Sequence, residues 1–335
     1  MGKYTSKRMF LLLIGMLLLL VGCVDQSGAS SEGGLESSDT KEIGSLQDET
    51  SGTKKESLDE SENERIEKEE DSHAQEEMKI ITTSVVICQI LDQLNIDSVV
   101  GIPKSDTYEI PERYQEATVV GTPMAPDMEI LSSLEADYIL TPKSLEGTLR
   151  KEYETIDLPS YFADLSSTEG LYQSIEEMGN LFHREVEAKK LIDDYHTYIE
   201  GFQNTHSQEE PPRILILMGL PGSYVVATEQ SYAGSLVKLA GGKNVYDDEK
   251  VEPFLNINPE DMVKRDPDMI LLTSHAMPEQ VEKMFEDEFL NNDIWSYFRA
   301  VENGQVYTLS HTRFGMSANF LYQEALEELE GILYQ

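Results

Sequence analysis

The stretch that decides the fold opens with Asp164-Leu165-Ser166-Ser167-Thr168-Glu169-Gly170-Leu171-Tyr172 and runs on to Phe202. Its first residues offer several helix N-caps, since Ser, Thr and Asp oxygens accept from the free amides of a first turn. Apolar residues then recur on one face at Leu171, Ile175, Met178, Phe182, Leu191, Tyr195, Tyr198 and Phe202, with no Gly or Pro between Gly179 and Gly201. That spacing predicts one helix of about 30 residues, well above the usual length. A polar loop, 204–212, follows it and leads into a fresh strand.

On either side of this helix, short strand-like runs alternate with helix-like ones. Residues 99–100, 118–120, 138–141, 214–218, 269–273 and 306–309 read as strands bounded by Gly, Pro, Asp or Ser. Residues 84–94, 128–134, 234–240 and 278–289 read as helices. The alternation argues for parallel α/β sheets. The expected fold is therefore α/β, with an N-terminal lobe at 79–165, a linking helix at 166–203 and a second lobe at 204–335. A long helix joining two lobes acts as a stiff connector. A single α/β domain carrying one long surface helix is the plainer alternative.

The N-terminus has a different character. Lys3, Lys7 and Arg8 precede an apolar run at residues 9–21, and Leu20-Val21-Gly22-Cys23 closes it. A basic head, a short apolar stretch and small residues describe a secretory signal. The run falls short of the roughly 20 residues that span a bilayer. Its end on Cys23 resembles a bacterial lipobox, so residues 1–23 are expected to be a signal peptide and Cys23 the acylated mature N-terminus. Residues 24–78 carry 18 acids against 5 bases and almost no large apolar side chains. Such a segment buries too little surface to offset its ordering entropy and is expected to be a disordered acidic linker.

Charge and cysteine usage narrow the function. The chain carries −37; setting aside the net −13 of 24–78 and the three bases of the head leaves −27 on the rest. Nucleic acid is excluded as a partner, because phosphate neutralisation needs a basic surface. With Cys23 acylated only Cys88 remains, which rules out an internal disulfide; Cys88 lies in an apolar run and reads as a small core residue.

Ligands of open α/β sheets sit beyond the carboxyl ends of the strands. Three such segments stand out: Gly121-Thr122-Pro123-Met124-Ala125-Pro126, Gly219-Leu220-Pro221-Gly222-Ser223-Tyr224 and His275-Ala276-Met277-Pro278. Met124 would come from the first lobe and His275 from the second, facing each other across a cleft. Read alone, a methionine after a strand is ordinarily packing, and a histidine is ordinarily a satisfied polar residue. No pair of the six histidines falls at metal-ligand spacing.

These segments, with Leu236-Val237-Lys238-Leu239-Ala240-Gly241-Gly242, Asn292-Asp293-Ile294-Trp295 and Phe314-Gly315-Met316-Ser317-Ala318-Asn319, resemble the haem-binding lipoproteins of Gram-positive ABC importers, the iron-regulated surface determinant type. The resemblance covers nearly all of 79–335. It implies a class III periplasmic-binding-protein-like architecture, two lobes on a rigid helix, with haem in the cleft. It also implies a non-enzymatic role, with Met124 and His275 as axial ligands of the haem iron. Thioether and imidazole together close both axial faces, and the methionine raises the potential. Met128, Met277, Met316 and His311 are competing ligands.

Haem also carries two propionates, and an acidic fold must supply local donors for them. Lys104, Ser105 and Tyr108 resemble the family's donor loop, here one residue longer. Gly222, Ser223 and Tyr224 are further candidates, and Arg113 and Arg313 are possible counter-charges. The expected partners are the permease and ATPase subunits of the importer, upstream haem-donor proteins and, through the lipid anchor, the extracellular face of the cell membrane. A monomer is expected. The alternatives are a ferric-siderophore or cobalamin importer lipoprotein, a haem store with no transporter, and an extracellular hydrolase. The hydrolase trace, Gly315-Met316-Ser317-Ala318-Asn319, lacks the second glycine of a nucleophile elbow.

Overall fold

A computed structural model describes residues 78–105, 108–205, 210–248 and 250–334. The signal-like residues 1–23 with Cys23, and nearly all of the acidic stretch 24–78, lie outside them. The N-terminal lobe comprises β1 (Ile80–Thr82), α1 (Val85–Gln93), β2 (Val99–Ile102), β3 (Thr118–Val119), β4 (Gly121–Thr122), β5 (Ala125–Pro126), α2 (Met128–Ser133), β6 (Tyr138–Pro142), α3 (Glu146–Thr155) and β7 (Ser160–Ala163). Its main sheet has the order β3-β2-β1-β6-β7, every pair parallel. Then come α4 (Thr168–Leu181) and α5 (Glu185–Thr205).

The C-terminal lobe is built from β8 (Arg213–Leu220), β9 (Ser223–Ala227), α6 (Tyr232–Leu239), β10 (Lys243–Asn244), β11 (Phe254–Leu255), α7 (Pro259–Arg265), β12 (Met269–Ser274), α8 (Pro278–Asn291), α9 (Arg299–Glu302), β13 (Val306–Thr308) and α10 (Tyr322–Leu333). Its sheet runs β11-β9-β8-β12-β13, with β10 pairing the start of β8. β8, β12 and β13 are parallel, whereas β9 pairs antiparallel with β8 and β11 antiparallel with β9. Helices cover both faces of such sheets, so central strands are apolar throughout. Residues 214–219 of β8 are buried one after another accordingly.

The linking helix expected over 166–203 is instead two helices folded back on each other. Tyr172 and Tyr195 stack with ring centroids 4.0 Å apart; on one continuous helix 23 residues would separate them by about 35 Å. The reversal occurs at His183, which adopts φ +56°, and the Arg184 amide donates to the Gly179 carbonyl at 2.7 Å. Gly179 is required here, because a Cβ on it would lie 2.5 Å from the Ala188 Cβ. Periodicity could not reveal the turn, since both helices present apolar stripes to the same core. The 21-residue α5 is the long helix that leads into β8.

One buried hydrophobic cluster runs from Ile80 through Tyr172, Tyr195 and Phe202 to Leu333, so both lobes are packed onto the helix pair. Tyr322 of α10 meets the rings of Tyr172, Tyr195 and Tyr198 at 5.9, 5.4 and 5.6 Å. The Ala318 amide donates to the Leu165 carbonyl at 2.8 Å, adding a backbone tie between the C-terminal lobe and the start of the helix pair. Cys88 is fully buried and free.

Candidate functional site

Met124 owes its position to a hairpin. Past β3, Val120 stays in register by donating to the Ile102 carbonyl, and Gly121 then turns at φ +104°. A side chain at Gly121 would place Cβ 2.9 Å from the Ala125 carbonyl oxygen, so glycine is needed for β4 and β5 to close. Pairing of Thr122 with Ala125 leaves Pro123 and Met124 as the two-residue tip. Asp127 fixes the exit by capping α2, its Oδ1 accepting from the Glu129 and Ile130 amides. Met124 is 75% exposed and belongs to no buried cluster. The competing Met128 and Met316 are partly buried against hydrophobic cores.

His275 follows the carboxyl end of β12. That strand runs in register with β8 as far as the Ser274–Gly219 pair, and the His275 amide donates to the Gly219 carbonyl at 3.0 Å. Beyond it, Met277 takes φ +50° and Pro278 opens α8. The side chain opens to solvent, yet enough atoms crowd the ring that desolvation lowers its pKa below the ordinary histidine value. The imidazole is thus neutral at pH 7, the form that offers a metal its lone pair. Met124 and His275 lie in different lobes, each just past a strand of a parallel sheet. His311 sits half-buried in a turn after β13.

The polar candidates divide. The Lys104 amide donates to the Gly121 carbonyl at 2.7 Å, which ties its loop to the methionine hairpin, and the residue is exposed. Ser105 is turned inward: its Oγ donates to the Tyr108 carbonyl and accepts from the Tyr108 amide. Tyr108 reaches the other lobe, its hydroxyl 3.2 Å from where a Cβ on Gly315 would stand, and burial raises its pKa. Gly222 (φ +82°) is the turn of the β8–β9 hairpin, and Gly222 and Ser223 are exposed. The Tyr224 hydroxyl donates to Glu288 Oε1 at 2.9 Å, so it is engaged by a carboxylate.

Both arginines considered as counter-charges are also taken. Arg113 pairs with Asp92 and Asp97, and Arg313 with Glu324 and Glu328.

One feature between the lobes escaped sequence reasoning. A cavity of about 280 Å³ is lined by Val85, Val86, Gln89, Asp92 and Gln93 of α1, Tyr108, and Asn319, Phe320 and Leu321 of the other lobe. The first turn of α1 therefore borders it, and Ser84, 7% exposed, makes no side-chain cap. A helix start attracts anions in general, but here the Asp92 carboxylate of the same helix lines the same cavity and opposes one. The signal was a Ser before an apolar run, which reads equally well as an ordinary cap.

Residues 80–312 match the periplasmic binding protein family. The chain belongs to it. Among relatives of this binding protein, the high-affinity heme uptake system protein IsdE of Staphylococcus aureus strain Newman is 38% identical over 261 residues, 77% of this chain and 88% of its own. Two solved structures superpose at a TM-score of 0.72. One is an ABC transporter substrate-binding protein from Listeria monocytogenes EGD-e, 44% identical over 77% of this chain and 99% of its own. The other is S. aureus IsdE complexed with heme, 37% identical over 77% of this chain and 100% of its own. The two-lobed α/β architecture agrees with that family. Its relatives are substrate-binding transport proteins rather than enzymes. Among the described residues no helix is long and apolar enough to cross a membrane, and no cluster of His, Cys, Asp and Glu is arranged to hold a bare metal ion.

Proposed function

We propose that this chain is the haem-binding component of an ABC importer, carrying haem between its lobes with Met124 and His275 on the iron. The observation that carries the reading is the methionine hairpin. A glycine-dependent turn presents the Met124 thioether 75% exposed at a hairpin tip of one lobe, and His275 is exposed just past a strand of the other, so both soft donors are open to a ligand. A neutral imidazole after a parallel strand supplies the second donor. Closing both axial faces suits a carrier, because no position is left for oxygen chemistry.

For the propionates, Lys104 is the better-supported counter-charge. Tyr224, held by Glu288, is withdrawn from that role, and Arg113 and Arg313 are spent on their own carboxylates. Acylation at Cys23 would keep the protein at the outer face of the membrane, beside the permease and ATPase subunits that receive the haem. Upstream surface proteins would supply it.

Haemin titration followed by absorption spectra tests this. The expected result is 1:1 uptake with a six-coordinate low-spin spectrum, disturbed by both Met124→Ala and His275→Ala. No saturable uptake refutes the haem reading and favours a siderophore or cobalamin. Uptake that survives His275→Ala but fails in His311→Ala keeps the function and moves the ligand.

A further inference from the structure

A carboxylate in the C-terminal lobe gathers three donors on one oxygen. Glu288 Oε1 accepts from the Tyr224 hydroxyl at 2.9 Å, the Asn292 side-chain Nδ2 at 2.7 Å and the Trp295 indole nitrogen at 3.1 Å. The donors come from β9, the end of α8 and the 3-10 turn Asp293–Tyr297. Burial alone would raise the Glu288 carboxyl, but these bonds outweigh it and hold it below its usual range. Bonds to an ionised acceptor are the stronger kind. The rings around it are locked as well: Trp295 is 1% exposed, stacks on Phe289 at 4.3 Å and tilts against Tyr224 at 6.3 Å.

The route from this knot to the candidate iron ligand is short. Tyr224 pairs across the hairpin with Gly219, and Gly219 accepts the His275 amide. On the helix side, Val281, Phe285 and Glu288 fall at i, i+4 and i+7, one face of α8. Val281 and Phe285 press on Gly219 while Glu288 holds Tyr224. The helix that starts three residues after His275 is thereby clamped to the hairpin that flanks His275.

We propose that Glu288 is a positioning residue for His275, acting through Tyr224 and the β8–β9 hairpin to hold the imidazole at the iron. The inference rests on the haem-carrier reading above. It is tested by the rate at which haem-loaded protein surrenders haem to excess apomyoglobin, in Glu288→Leu, Glu288→Gln, Tyr224→Phe and the double variant Glu288→Leu/Tyr224→Phe. Glu288→Leu and Tyr224→Phe should each speed release by about tenfold, the scale of one charge-assisted bond. The double variant should be no faster than Glu288→Leu alone, and Glu288→Gln, which keeps an acceptor oxygen, should lie nearer wild type.

In a His275→Ala background, Glu288→Leu should change release no further, which separates positioning from general loosening of the lobe. If Glu288→Leu fails to fold, Tyr224→Phe, which removes a single hydroxyl, carries the test. Wild type that takes up no haem overturns the carrier function and this inference with it. Wild type that binds haem, with variants that release at its rate or that accelerate equally without His275, overturns the inference alone.

Discussion

Gly219→Ala probes the wall behind His275 with a single methyl group. On the observed backbone the new Cβ would stand 2.1 Å from Val281 Cγ1 and 2.9 Å from Phe285 Cε2. Carbon atoms pack at about 3.5–4.0 Å, so α8 would have to back away by more than an ångström at Val281. Both neighbours are buried, Val281 at 2% and Phe285 at 4% exposure. Overpacking of this kind costs about 1–3 kcal/mol, and two clashing partners put Gly219→Ala near the upper end, about 3 kcal/mol. For a fold of this size that is a fall of roughly 6–12 °C in Tm. Val281→Ala alone removes two buried methyls and costs about 2 kcal/mol. In the double variant the added methyl fills the space the valine vacates and only the Phe285 contact remains, so the total should fall clearly below the additive figure of about 5 kcal/mol. Urea unfolding of the four proteins measures the coupling. Additive losses, or a loss below about 1 kcal/mol for Gly219→Ala, would refute the packing argument.

Tyr322→Ala removes a 5% exposed ring that meets three others at the joint of the lobes; it should cost about 3–5 kcal/mol in urea unfolding, and a loss under about 1 would show that the joint is held elsewhere. Cys88 is fully buried and its thiol is pushed up to about 12 by desolvation, so a thiol reagent at pH 8 should label it only as fast as the protein opens; immediate labelling of native protein contradicts its placement. Desolvation would raise the Asp164 carboxyl, but bonds from Ser166 and the Lys143 ammonium outweigh it, leaving the folded pKa depressed. The unfolded chain then binds the proton first as pH falls, so this contribution is complete above about pH 4 and disappears as pH drops through the lower folded value. The Tm difference between wild type and Asp164→Asn should therefore shrink on acidification below about pH 4; a constant difference would refute the linkage.

Much of the fold was legible because its signals are local. The strand runs at 99–100, 214–218 and 269–273 coincide with β2, β8 and β12, and the Asp127 and Pro278 helix starts fall where side-chain chemistry puts them. The short strands β1, β7 and β9 carry no such signal, since three to five residues give too little alternation to separate a strand from a loop. The hairpin at Pro221-Gly222 shows the consequence: Tyr224 reads as a loop tip, whereas it pairs with Gly219 inside a ladder.

By itself the sequence determined the α/β alternation, the core character of Cys88 and the segments around Met124 and His275, because each depends on neighbours a few residues away. Tertiary structure alone decided the rest. The turn at His183 depends on Gly179 lying against Ala188, and the stripe on either side of it has the same period whether the chain continues or reverses. The fates of Arg113, Arg313 and Tyr224 depend on which acid comes within hydrogen-bond reach, and Glu288 lies 64 residues from Tyr224. With acids so abundant in the chain, composition offers every cation and hydroxyl many partners, and packing selects one.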